Sequence, residues 1–349
     1  MIYRCLIRPV LRLFPSEMSM NVSLRLLRFF HKCRLGILVR ISHKKRSPLL
    51  KRNVFGINFA NPIGLGAGID RNGECCNVFS DMGFGFVEIG SLTHHEQSGR
   101  PRPRIFRLKE CGAMAQRTGY PNKGVKSAIN ALRKDPPRCP VAANIVCRQG
   151  NMSEAELVED YRDAFALMYD FADFFVINTV MPPFDGVDLL EDVDVLSEVM
   201  DTILDMRLCY DTYKPVLLKV SADISRESLS EILDYARLSG IDGIVAAGGT
   251  TASPEDLSAS AAKRVDKIGQ AIYSGAPVKK RTLELVRFIN SYTGGTLPII
   301  ASGGIMKPQD AADMLDAGAS LVELCSGLLY NGPKLVKNTV KHLESIQGK

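Results

Sequence analysis

What the chain lacks sets the first limits. None of its nine cysteines form a CxxC pair, and no Cys/His cluster has the spacing of a zinc site. Free thiols in a reducing compartment are the expectation. The five histidines, His31, His43, His94, His95 and His342, are scattered, and the His94–His95 pair is too isolated to read as a metal centre. No stretch approaches the ~18 consecutive apolar residues of a membrane-spanning helix. A secretory signal is argued against as well, because Arg4, Arg8 and Arg12 interrupt every early apolar run. There is no low-complexity tract and no internal repeat. Acid is nearly missing from the first 55 residues, where Glu17 stands alone against 13 Lys or Arg. That segment carries about +12, and the net charge of +6 leaves about −6 for the remainder. A basic arm on a mildly acidic body is the organisation this predicts.

The arm contains two basic amphipathic segments. In IYRCLIRPVLRLF (2–14), Arg4, Arg8 and Arg12 fall on one helical face. In MNVSLRLLRFFHK (20–32), Arg25, Arg28 and Lys32 share one face while Met20, Leu24, Leu27 and Phe30 share another. Such helices suit a surface that is apolar below and anionic above, as a membrane interface is. Two plainer readings compete: helices packed on the body with solvated arginines, and an organellar transit peptide.

From about residue 60 short apolar runs alternate with amphipathic segments, the pattern of a parallel sheet. Eight strands are expected: PIGLGAG (62–68), FVEIGS (86–91), VAANIV (141–146), FFVINTV (174–180), PVLLKV (215–220), DGIVAAG (242–248), LPIIASG (297–303) and SLVELCS (320–326). Helices are expected at about 74–82, 122–133, 154–170, 188–208, 226–239, 280–292, 308–316 and 333–346. Eight such units match an α/β fold of the (β/α)8 TIM-barrel type better than an open doubly wound sheet. The domain reading is a helical arm over residues 1–50 and a barrel over 51–349. The connection 248–279 is long enough to act as a lid.

In such barrels the C-terminal strand ends and the loops after them build the active site. Here those ends carry Ala67 and Gly68, Ser91, Asn144, Asn178, Lys219, Gly248 and Gly249, Gly303 and Gly304, and Ser326. The glycine turns ASGGI (301–305) and CSGLLYNGP (325–333) follow the seventh and eighth strands, where backbone N–H groups of this fold converge on phosphate. Lys219, an ammonium inside an apolar strand, calls for an anionic or electron-rich partner. That partner is either the N1–C2=O edge of a reduced flavin or a Schiff-base carbonyl. With Asn144 and Asn178, whose amides both donate and accept, the set describes a pocket for flavin mononucleotide (FMN).

Beyond these residues, NPIGLGAGIDRNGE (61–74), MGFGFVEIGSLT (82–93), RPRIFRL (102–108), LPIIASGGI (297–305) and AGASLVELCSGLLYNGP (317–333) closely resemble segments of the dihydroorotate dehydrogenases. The similarity covers nearly the whole chain and points to the quinone-linked, membrane-associated class. It implies FMN in a barrel, contacted at Ala67, Gly68, Ser91, Asn144, Asn178, Lys219, Gly303, Gly304 and Ser326. It implies oxidation of dihydroorotate or a relative at Arg71, Gln116, Arg117, Thr118, Gly119, Tyr120 and Asn178, with no nucleic acid involved. Electrons would pass to a quinone through an arm that docks residues 1–35 on a membrane surface. That membrane is the cytoplasmic face of the inner membrane in a bacterium, or the inner mitochondrial membrane as the less favoured alternative.

Departures from the family pattern fall mainly on the substrate side. Arg71 stands for a lysine, Gln116 for an asparagine, Pro183 for an asparagine, and Gly248-Gly249 for an Asn-Thr pair. On the flavin side Ala247 stands for threonine and Ile272 for glycine. In NTVMPPFDG (178–186), Met181 occupies the position of the family's catalytic serine base. A thioether accepts no proton at physiological pH, and losing a general base typically costs ~10²–10⁴-fold in rate. Three readings stay open: a dehydrogenase using a substitute base such as Asp185, Cys147 or water; a flavoenzyme with another small substrate; and an FMN-binding pseudoenzyme. A Schiff-base aldolase on Lys219 is a more distant fourth. Gly248 and Gly249 are expected to enlarge the pocket.

Overall fold

The computed structural model describes residues 9, 13–33, 47–150, 152–180, 193–255 and 257–348. In chain order its strands are β1 (Arg52–Val54), β2 (Ile57–Phe59), β3 (Ile63–Leu65), β4 (Phe86–Leu92), β5 (Ile105–Leu108), β6 (Ala113–Gln116), β7 (Val141–Ile145), β8 (Phe174–Asn178), β9 (Val216–Val220), β10 (Gly243–Ala246), β11 (Ile272–Gly275), β12 (Ile299–Ser302) and β13 (Leu321–Leu324). Eight of them close into a parallel barrel in the order β10-β12-β13-β3-β4-β7-β8-β9. These are the eight expected from the apolar runs. Each expected helix is present within a few residues of its bounds where described, and Arg226–Ser239 coincides with its expected span.

Two small sheets and two helices were not expected. β1 and β2 form an antiparallel hairpin, and β5, β6 and β11 form a three-stranded antiparallel sheet. The helices are Ala259–Ile268 and the short Ser326–Asn331. The strands concerned are three or four residues long, too short for a legible alternation. β11 also lies more than 150 residues from the β6 residues it pairs with. The proposed lid, 248–279, is built onto the body through this sheet, with Thr250 bridged to Tyr273.

The barrel interior follows the two-residue period of the pleat. One layer of inward residues is Phe86, Ala142, Val176, Leu217, Val245, Ile300 and Leu321, closed below by Phe59 and Phe174. The Phe59, Phe86 and Phe174 rings lie 5.4–6.1 Å apart, largely edge to face. Two residues further along each of these strands stand Glu88, Asn144, Asn178, Lys219, Ala247, Ser302 and Glu323. The interior thus passes from an apolar plug to a polar floor in a single step. β3 contributes no interior side chain, and its glycines make room for both layers. A Cβ on Gly64 would lie 2.1 Å from the Phe86 ring, and one on Gly66 would lie 3.1 Å from a Glu323 oxygen.

The second arm segment forms a helix, Ser16–Lys32, that begins four residues earlier than its pattern suggests. The first, 2–14, lies almost entirely outside the described residues. The helix is clasped to the body at Glu17, whose carboxylate takes the Arg104 guanidinium at 2.7 Å and Arg102 at 3.2 Å. Glu17 and Arg104 are both buried. Arg28 does not join a solvated basic face, because it pairs with Glu74 at 2.5 Å. Arg25 and Lys32 are exposed. Met18, Val22, Leu26 and Phe29 of this helix are exposed, and Leu26 also borders the cavity described below. Leu50, on the arm side of a boundary at residue 50, is fully buried in the main core. Among the described residues no helix is long and apolar enough to cross a membrane.

Candidate functional site

A cavity of about 950 Å³ opens at the C-terminal end of the barrel and runs to the arm helix. That volume is at the upper end for small-molecule sites. Ala67, Gly68, Ser91, Asn178, Lys219, Gly303, Gly304 and Ser326 all line it. Arg71 and the whole run Gln116–Tyr120 line it as well. At its outer end Met20, Leu24, Leu27 and Phe30 of the arm helix form the wall, so the predicted apolar face of that helix faces the cavity.

Period two sets the inner residues on strand ends, and hydrogen bonds then orient them. Asn178 donates its amide N–H to Ser91 Oγ at 3.0 Å, and its Oδ1 accepts the Val180 N–H at 3.1 Å. Both side chains are therefore held at the wall. Asn144 differs, because it is fully buried and not among the lining residues. Its amide donates to Glu88 Oε1 at 2.5 Å, which makes it a support for the floor.

The glycine turns after β12 and β13 meet side by side, since those strands pair in register from Ile300 to Ser302. Gly304 has φ +74°, and a Cβ there would come within 2.5 Å of Lys279 N. Only glycine lets this turn approach the start of the helix Lys279–Tyr292 so closely. Gly327 is equally confined, since a Cβ there would lie 2.1 Å from the Ile305 carbonyl oxygen. Ser326 Oγ lies 2.8 Å from Ser274 Oγ, which ties the eighth loop to β11.

Lys219 has the anionic partner its burial demands: Nζ lies 3.3 Å from Glu88 Oε1. Burial alone would raise the Glu88 carboxyl, but the Lys219 charge, with the Glu323 carboxyl and the Asn144 amide beside it, holds it below the usual carboxylate range. Burial works to lower the Lys219 ammonium, and the charges of Glu88 and Glu323 reverse the sign and raise it. Lys219 is thus a cation at neutral pH. Glu88 and Glu323 sit in apolar strands just as Lys219 does, yet they were missed in the sequence. The cost of a buried charge, which singled out the lysine, was a signal available for both glutamates.

Arg71 Nε donates to the Gly68 carbonyl at 3.1 Å. Burial brings its guanidinium down to about 10, still cationic at neutral pH, with Glu17 opposing the shift. Arg117 donates to the Ile268 carbonyl at 2.9 Å, and its guanidinium lies 5.5 Å from the centre of the Phe106 ring. The Tyr120 hydroxyl donates to the Val180 carbonyl, closing the wall between the second and fourth loops.

Met181 lies outside the described residues, as do Pro183, Phe184 and Asp185. Cys147 is fully buried, away from the cavity lining, with its thiol raised to about 12 by burial and by nearby Asp160. It stays protonated at neutral pH and is no base. Among the described lining residues there is no histidine, and Glu323 is the one carboxylate.

Gly249 does not enlarge the cavity in the expected way. A Cβ at Gly249 would lie 2.2 Å from Ile272 Cγ2, so the isoleucine fills the space a side chain at 249 would need. Two departures from the family pattern, read separately in sequence, compensate each other in space. The wall keeps its bulk and becomes apolar.

The family model described as Dihydroorotate dehydrogenase matches residues 49–346. A curated relative from Christiangramia forsetii, named dihydroorotate dehydrogenase (quinone), is 34% identical over 337 residues, covering 96% of this chain and 97% of the relative. One of the same name from Thermosynechococcus vestitus is 38% identical over 303 residues, covering 85% and 81%. Among solved structures, ligand-free DHODH from Eimeria tenella superposes with a TM-score of 0.81 at 27% identity, covering 93% of this chain and 95% of that one. The same organism's DHODH in complex with ferulenol gives 0.79 at 29% identity, covering 86% and 85%.

Proposed function

The chain belongs to the dihydroorotate dehydrogenase family, and from that premise we propose that it is an FMN-dependent oxidoreductase that oxidises dihydroorotate, or a close relative of it, and delivers the electrons to a quinone. The observation that carries this reading is one continuous cavity. It joins a polar floor at Lys219, a pair of glycine turns and the apolar face of the arm helix. The residues present fit FMN: a buried cation on the floor, Ser91 and Asn178 fixed at the wall, and a Gly303–Gly304 turn that admits no side chain. FMN, when bound, supplies the hydride acceptor.

This chain's own groups have distinct tasks in that scheme. When FMN is bound, Lys219 would face its electron-rich edge, and Gly303, Gly304 and Ser326 would hold its phosphate. Arg71 offers a buried cation to a substrate carboxylate, with a planar fork in place of the geometry of an ammonium. Gln116 and Arg117–Tyr120 close over the substrate. Residues 1–50 act as the docking arm, with residues 1–35 on the membrane surface, and 51–349 as the catalytic body. The exposed Met18, Val22, Leu26 and Phe29 support contact with an apolar surface.

Proton removal departs from the family's route. Met181 takes no proton, so dihydroorotate oxidation runs without the ~10²–10⁴-fold contribution of a general base at that position. The decisive experiment is anaerobic titration of the detergent-purified protein with dihydroorotate while the flavin absorption is followed. Slow bleaching that Met181→Ser accelerates is the expected result.

A second reading is favoured by the apolar Gly249–Ile272 wall together with Gln116 and Arg71. It is a diverged paralog, either a flavoenzyme for another small substrate or an FMN-binding pseudoenzyme. A flavin left oxidised by dihydroorotate but reduced by a different metabolite would establish the former, and one reduced by no metabolite the latter. A protein that takes up no FMN would remove both readings.

A further inference from the structure

We propose that Glu88 and Glu323 hold one proton between them at the cavity floor, and that Glu323 is thereby a positioning residue that keeps the surroundings of Lys219 neutral and ties the behaviour of the bound flavin to pH. The second half rests on the flavin reading above, and the first does not.

Glu88 on β4 and Glu323 on β13 both point into the barrel, on the first polar layer above the phenylalanine plug. Glu88 is fully buried and Glu323 is 2% exposed. Glu88 Oε1 takes both strong donors, the Asn144 amide at 2.5 Å and Lys219 Nζ at 3.3 Å. Glu88 Oε2 and both Glu323 oxygens are buried and receive no donor of ordinary geometry from another side chain or from the backbone. What faces the Glu323 carboxyl is the carboxyl of Glu88, with the Ser302 hydroxyl beside it. Two carboxyls can satisfy each other only when one carries a proton.

Charge leads to the same conclusion. The groups around the pair are Lys219 on β9, the neutral amide of Asn144 on β7, the hydroxyl of Ser302 on β12 and the thiol of Cys325 after β13, with Tyr120 acting on Lys219 and Arg71 on Cys325 from the loops above. Just after β3 stands Gly66, where a Cβ would lie 3.1 Å from a Glu323 oxygen. The Cys325 thiol is raised to about 11 by burial and stays neutral. Two ionised carboxylates against one ammonium would leave a net negative charge in a site with little water, and adjacent carboxyls of this kind do not both ionise. One proton brings the sum to zero. Glu323 is the holder, because Glu88 already takes the Asn144 amide and the Lys219 ammonium while neither Glu323 oxygen receives a donor.

The consequence concerns Lys219, whose ammonium has three N–H donors and spends one on Glu88. With Glu323 neutral, the floor sums to zero and the other N–H donors of Lys219 are left for whatever occupies the cavity. Above the pH at which Glu323 ionises, the floor carries a net negative charge.

Infrared spectroscopy of the natural chain near neutral pH, with and without isotopically labelled glutamate, tests the proton directly. The expected result is a protonated-carboxyl C=O band that moves on labelling and is lost in Glu323→Gln. Absence of any glutamate-derived band, or a band that survives in Glu323→Gln, would overturn the proposal. The labelled natural chain settles the first point whether or not the variant folds. For the second half, the midpoint potential of bound FMN is titrated against pH. It is expected to fall more steeply on the alkaline side in the natural chain than in Glu323→Gln, and parallel curves would refute the coupling. Failure to take up FMN would count against the flavin reading and the coupling, while the infrared band still decides the proton.

Discussion

The two interior layers of the barrel differ by one step along the same strands. Below, Phe86, Leu217 and Leu321 pack with Phe59 and Phe174 into an apolar plug. Above, Glu88, Lys219 and Glu323 on those same strands form a charged floor that lines or underlies the cavity. The plug gains from apolar contact and aromatic edge-to-face packing, and it has no polar demand to satisfy. Every group of the floor depends on a partner from another strand, because an unpaired charge there costs several kcal/mol. Stability is therefore concentrated in the lower layer and chemistry in the upper one, and the pleat separates them by two residues.

The largest effect that would test this division is expected from the plug. Phe174→Ala should lower unfolding free energy by ~3–5 kcal/mol, measured by urea titration, while the folded fraction keeps its affinity for FMN. A variant that loses flavin in proportion to stability would show that the two layers are not separable. Lys219→Met works on the upper layer. It should cost about 3 kcal/mol by leaving Glu88 without its cation, and it should also abolish retention of FMN through gel filtration. Retained flavin with lost stability would make Lys219 a structural support rather than a part of the site.

A third effect is expected from Glu323→Gln, which copies the neutral form without the proton uptake that folding requires of the natural carboxyl, so the variant should be at least as stable as the natural chain at neutral pH. Its sign appears in the pH profile. A carboxyl raised in the folded state contributes stability that is fully present below its unfolded value and is lost as pH rises through its folded value. The natural chain should therefore lose stability on the alkaline side, and the variant should lose less, by up to one proton's slope in Tm against pH. Identical alkaline limbs would mean that Glu323 is ionised throughout.

Much of this was legible before any coordinates. The eight barrel strands were readable from apolar runs such as VLLKV and FFVIN, since a strand covered on both faces needs apolar residues on both. The glycine turns after β12 and β13 and the strand-end positions of Ser91, Asn178 and Lys219 were readable for the same local reasons. Asn144 was expected at the flavin but is fully buried outside the cavity lining and spent on Glu88, because strand parity gives direction into the barrel but not which neighbour covers a side chain. The short strands β5, β6 and β11 carry no legible period, so the sheet that walls the cavity was invisible.

The sequence by itself determined the alternation of strand and helix, and with it the barrel and the row of residues at its C-terminal mouth. Those features follow from periods of two and 3.6 within windows of a dozen residues. Only the tertiary structure decided which of those residues answer one another. Glu88 meets Glu323 where barrel closure sets β13 one strand away from β4, Gly249 makes way for Ile272, and Glu17 clasps Arg104. None of these pairings has a local signature. Barrel closure and the packing of loops across its mouth bring together groups far apart in the chain, and the cost of burying each one alone selects its partner.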